Sequence, residues 1–94
     1  VAFKILYHED ALVDLEAAFS WSRENHPETT ERFFNDLFSH LDFLAAFPCI
    51  GAPIKGQPNL RRLLHSPLYV YYRVHEGAIE ILHFWHASRR SPGI

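Results

Sequence analysis

LYVYYRVHEGAIEILHFWH, residues 68–86, decides how this chain folds. LYVYYRVH (68–75) and AIEILHFWH (78–86) are rich in β-branched and aromatic residues, and Glu76-Gly77 supplies a hairpin turn between them. In the first run Tyr69, Tyr71 and Arg73 share one side, while Val70, Tyr72 and Val74 share the other. LRRLLH (60–65) reads as a third strand, with Arg61 and Arg62 on opposite sides.

Towards the N-terminus the period changes from two to 3.6. In EDALVDLEAAFSWSREN (9–25), the residues Ala11, Leu12, Leu15, Ala18, Phe19 and Ser22 line one helical face. His26-Pro27 breaks that helix, because proline disfavours a helical residue before it. Pro27 then opens a second helix (27–47) with Phe34, Leu37, Phe38, Leu41, Leu44 and Ala45 inward, and Pro48 stops it. PCIGAPIKGQPN (48–59), with three prolines and two glycines, reads as a loop, and FKILYH (3–8) as a short first strand. The order is β-α-α-β-β-β. An amphipathic helical hairpin must bury its apolar stripe, and one face of a small antiparallel sheet is the surface on offer. The expectation is an α+β fold in one domain, residues 1–94.

Composition narrows the function classes. Apolar residues make up 48% of the chain, enough for a core without staples, and a lone Cys49 excludes an internal disulfide framework. No apolar run approaches the roughly 18 residues that cross a bilayer, and VAFKILYHED lacks the basic leader of a signal peptide. The expected setting is a reducing cytoplasm, with no membrane partner. The net charge of −2 conceals a division. Residues 1–48 carry nine acids against three bases, residues 49–94 six bases against two acids, and four of the seven histidines lie in the second half. That asymmetry suits a surface for an anionic partner, although scattered solvated charges give the same count.

HFWHASRRSP (83–92) crowds two histidines, a tryptophan and two arginines after the last strand. His83 and His86 are three apart, so on a strand they point to opposite faces and cannot chelate one ion. No nucleophile elbow is present, Cys49 has no nearby base, and GAPIKGQP lacks phosphate-loop spacing. No metal or cofactor is expected. The basic set Arg61, Arg62, Arg73, Arg89 and Arg90, with tyrosines between, suits phosphates or stacked bases. Arginines that merely solubilise a greasy sheet fit the same pattern. On the helices, Phe43 lies about 150° from the centre of its inner face at 100° per residue, which points to a protein contact shared with Phe47. Trp21 has two readings, packing between the helices or joining that contact.

Several motifs in this order resemble the ParE/RelE toxin superfamily: A-x-x-D-L at 11–15, E-R-F-F at 31–34, F-P-x-x-G at 47–51, L-R-R-L with L-Y-V-Y-Y-R-V, and I-L-H-F-W-H-A-S-R. The match runs from about residue 3 to 92. The resemblance implies the toxin of a type II toxin–antitoxin pair of the plasmid-stabilisation kind, held in a hetero-oligomer by a cognate antitoxin. Carried across, Arg61 matches the arginine of the second strand, Tyr72 and Arg73 a Y-R pair, and His86 and Arg89 an H-x-x-R ending. With Arg62 and Arg90 these form the expected target surface, and Trp21, Phe43 and Phe47 the antitoxin surface. RelE-like members cut mRNA on the ribosome, and here Arg61, His86 and Arg89 would carry that chemistry. ParE-like members poison DNA gyrase. A pI near 6.4, with Lys4 and Lys55 the only lysines, favours the ParE-like branch.

Overall fold

The computed structural model describes residues 2–93. Seven elements follow in chain order: β1 (Lys4–Tyr7), α1 (Glu9–Asn25), α2 (Thr30–Ala46), β2 (Ala52–Ile54), β3 (Gln57–His65), β4 (Leu68–His75) and β5 (Ala78–His86). The strands form one sheet in the order β1-β5-β4-β3-β2. β2 to β5 pair antiparallel with their neighbours, and β1 runs parallel to β5, Lys4 opposite Ala78 through Tyr7 opposite Ile81. The expected α+β architecture, a helical hairpin on one face of the sheet, is what the chain adopts.

Two boundaries differ from the sequence reading. The segment 48–59, read as a loop, contains β2 and the start of β3, so the sheet gains an edge strand. Gly56, at φ +81°, supplies the left-handed residue that turns β2 into β3. The second helix begins at Thr30, not Pro27. Thr30 is buried, and its hydroxyl bonds to the His26 carbonyl (2.9 Å) and to Ser22 Oγ (2.8 Å), which ties the start of α2 to the last turns of α1.

The main core lies between helices and sheet. Leu37, Leu41 and Leu44 of α2 meet Val70, Tyr72, Ile79 and Ile81, all fully buried, with Ala11, Phe34 and Phe84 completing the cluster. Each such aliphatic side chain contributes about 1.5–3 kcal/mol of transfer free energy. Leu12, Phe19 and Phe38, placed inward by periodicity, are more than a third exposed. The helices turn only narrow stripes to the sheet and leave apolar flanks in solvent. A second, smaller cluster of Leu60, Tyr71 and Leu82, flanked by Ile54, Tyr69 and Trp85, occupies the opposite sheet face. Among the described residues, no helix is long and apolar enough to cross a membrane.

Candidate functional site

The β4–β5 ladder contains a bulge. Tyr72 pairs with Ile81 but Tyr71 pairs with His83, so Leu82 has no partner. Beyond that point every pairing moves by one residue, which sets Tyr69 directly opposite Trp85 on the face away from the helices. The Arg62 guanidinium lies 4.3 Å from the Tyr69 ring centroid, and that of Arg89 lies 3.8 Å from the Trp85 ring. The result is a row across three strands: Arg62, Tyr69, Trp85, Arg89. The Tyr71 side chain holds Arg62 more firmly charged by hydrogen bonding, which raises its pKa. His83 packs edge-on to Trp85 at 5.2 Å, and the Trp85 indole N–H donates to the Arg90 carbonyl at 2.7 Å. Arg73, further along the same face, meets Glu80 at 3.5 Å. Cations stacked over aromatic faces present planar donors to carboxylate or phosphate while their stems stay packed.

Tyr72 is placed elsewhere, and the expectation that it meets a target is corrected. Its ring is buried against the helices; its hydroxyl donates to the Pro48 carbonyl (2.7 Å) and accepts from the Gly51 N–H (2.9 Å). Burial raises its pKa most, against lowering by the Gly51 hydrogen bond and Arg61. Arg61 serves the same connector, donating to the carbonyls of Gly51 (2.7 Å) and Cys49 (3.2 Å). Both residues lock the segment leading into β2.

The trio Arg61, His86 and Arg89 is not assembled. Arg61 stands level with Tyr72 and Ile81, whereas His86 stands level with Leu68 and His65. The two levels are four residue steps apart along the strand, about 13 Å at 3.3 Å per step. His86 is engaged locally: its Nδ1 accepts from the Ser88 N–H (3.1 Å) and lies 2.6 Å from Ser88 Oγ. Among the described residues, no group of three or more His, Cys, Asp or Glu side chains could hold a metal ion.

On the helical side, Trp21 is 59% exposed, Phe43 52% and Phe47 54%. Trp21 does not pack between the helices; it tilts over His26, at 5.4 Å between rings, while Phe43 and Phe47 pair at 4.9 Å. Beside Trp21 opens an apolar groove of about 580 Å³, walled by Ala18, Phe33, Phe34, Leu68 and Phe84, with Asp14, His86 and Arg89 also lining it. Asp14, present in the sequence reading only as the D of a family motif and not as a site residue, has a defined task. β1 covers β5 only as far as Ile81. Beyond it one Asp14 carboxylate oxygen accepts from the Phe84 N–H (3.2 Å) and contacts His83 Nδ1 (2.8 Å), closing the uncovered edge. The D of A-x-x-D-L carried that signal, but nothing local told which strand it would meet.

A family model described as ParE toxin of type II toxin-antitoxin system, parDE, matches residues 5–91. The fold is similar to that of a chain from the chromosomal ParDE TA system of P. aeruginosa, with TM-score 0.74, 22% identity, and coverage of 90% of this chain and 96% of that one. It is also similar to a chain of the YoeB dimer from Staphylococcus aureus, with TM-score 0.50, 20% identity, and coverage of 92% and 98%. No curated protein matches the sequence. The two solved structures share the architecture; the match over residues 5–91 goes further, and this chain belongs to the ParE toxin family of type II toxin–antitoxin systems.

Proposed function

We propose that the chain is a toxin that binds and inhibits DNA gyrase in the cytoplasm, without cutting RNA, and that a cognate antitoxin neutralises it in a hetero-oligomer. One observation carries the choice of binding over cleavage: Arg61 is spent on the carbonyls of Cys49 and Gly51, about 13 Å along the sheet from the level of His86. Cleavage without a metal needs a base beside the 2′-OH and cations at the same phosphate. Those groups are dispersed here. The row Arg62–Tyr69–Trp85–Arg89, with Arg73 and Arg90 nearby, supports a contact with a large acidic partner. The groove beside Trp21, and the exposed Phe43–Phe47 pair, support an apolar antitoxin tail laid along the helices.

The experiment runs purified chain in two reactions, gyrase supercoiling and ribosomal translation. The expected outcome is loss of supercoiling with intact mRNA. Codon-phased cuts at the ribosomal A site that vanish on Arg61→Ala would overturn the reading in favour of a RelE-like endonuclease.

A further inference from the structure

His40 of α2 and His65, the last residue of β3, meet through their Nδ1 atoms at 2.9 Å, both rings partly buried. They are 25 residues apart in sequence and bridge the helical layer to the β3–β4 hairpin. At this distance one Nδ1 carries the proton and the other offers its lone pair. The contact survives when the pair is neutral, and when it holds one added proton. It cannot survive two, because N–H would then face N–H and charge would face charge.

We propose that His40 and His65 form a proton-operated latch that fastens α2 to the β3–β4 hairpin and releases when both imidazoles are charged. The groups acting on His65 are consistent with this. Burial lowers its pKa most, His40 lowers it further, and Asp36, one helical turn before His40, raises it. Asp36 therefore favours the first positive charge in the pair, while burial and the facing imidazole resist the second. Phe33 of α2 also packs edge-on to His65 at 5.4 Å, and Leu68 stands opposite it in the ladder; both are uncharged.

The latch sits behind one wall of the groove. Phe33 forms part of that wall, and so do Pro67 and Leu68, which directly follow His65 and Ser66. Release of His65 from His40 removes the tie that holds these two sides at fixed spacing. The sign follows from the lowered pKa of His65. Stability is complete above the ordinary histidine value of about 6.5 and is lost as pH falls through the lower, folded value.

The test uses the intact chain. Imidazole nitrogen shifts recorded from pH 8 to 4.5 should show His65 taking up its proton below the ordinary histidine range, with the His40 Nδ1, Phe33 ring and Leu68 methyl signals moving in the same step. Denaturant unfolding at the same pH values is then compared with His40→Gln, whose amide can donate to a neutral His65 and accept from a charged one. The unfolding constant of the wild type should rise more steeply on acidification, by about tenfold for each pKa unit separating its second protonation from 6.5. The five other histidines cancel in the comparison. Titration of His65 near 6.5 with Phe33 and the His40 Nδ1 unmoved, or equal slopes in the two proteins, would overturn the latch; should the variant not fold, the nitrogen shifts alone decide.

Discussion

Tyr69 and Trp85 stand opposite each other across β4 and β5, and each carries a guanidinium on its ring, Arg62 on one and Arg89 on the other. Exposed cation–aromatic contacts of this kind contribute about 0.5–1 kcal/mol, so they are weak reasons for a fold and good positions for meeting a partner. Arg62→Ala and Arg89→Ala should each lower unfolding free energy by no more than about 1 kcal/mol. Under the gyrase reading, each should raise the half-inhibitory concentration in a supercoiling assay by about tenfold, the loss of one moderate interface contact of about 1.4 kcal/mol. Arg89→Lys should fall between, since it keeps the charge and loses the planar stack.

The Tyr72 hydroxyl bridges Pro48 and Gly51 from inside the core. Tyr72→Phe leaves both connector groups unanswered and should cost about 1–3 kcal/mol in a denaturant titration. Gly51→Ala should be worse. A Cβ there would stand 2.5 Å from the Tyr72 hydroxyl and 2.9 Å from the Arg62 carbonyl, and the latter is backbone that cannot swing away.

The same phenol predicts an alkaline limit. Its pKa is raised above 10.0, chiefly by burial, so the neutral form belongs to the folded state. Its contribution is complete below pH 10 and is lost as pH climbs through the folded value. Ultraviolet titration of tyrosinate should show Tyr72 ionising late and together with unfolding, beside Tyr7, whose pKa is also raised, by burial and by Asp42; Tyr72→Phe should remove one of these two late phenols and keep the other.

Asp14 answers for the part of β5 that β1 leaves uncovered. Asp14→Ala frees the Phe84 N–H and removes the His83 contact, both largely shielded from water, and should cost about 1–3 kcal/mol. Asp14→Asn, whose amide oxygen still accepts, should recover more than half of that loss. Hydrogen exchange at Phe84 reports the change directly, with the Asp14→Ala amide exchanging fastest.

Trp21, Phe43 and Phe47 hold little of the monomer together, being more than half exposed. Replacing each by Ser should change stability within about 0.5 kcal/mol. If an antitoxin tail lies on these rings, at least one substitution should weaken toxin–antitoxin affinity by 2 kcal/mol or more, on the order of thirtyfold, measured by calorimetry. Unchanged affinity in all three would remove the helical face from the interface.

Much of the fold was legible because its periods are local. The alternation of LYVYYRVH gave the faces of β4, and Pro27 and Pro48 marked where helices give way. β2 was hidden because its Ala52-Pro53-Ile54 has turn composition and is a strand only through pairing with Arg61 and Arg62. The site was less legible for a related reason. Counting back evenly from the Glu76-Gly77 turn would set Tyr69 against Phe84; the unpaired Leu82 shifts it to Trp85. A bulge leaves no mark in composition, so the Arg89–Trp85 stack could not be read in advance. Tyr72 was misjudged because a Tyr-Arg pair names residue types, whereas alternation sends the two side chains to opposite faces.

β5 lies between β1 and β4, so the last element of the chain order is the neighbour that the first one needs. Closing that contact spans more than 70 residues and makes it a non-local pairing with a loop-closure cost. A nascent chain that has not yet released Ala78–His86 has no seat for Lys4–Tyr7, and a message broken before that point yields a fragment with its first strand unmatched. Assembly is thereby made nearly all-or-none, because the first strand and the helices that follow it are completed only by β5.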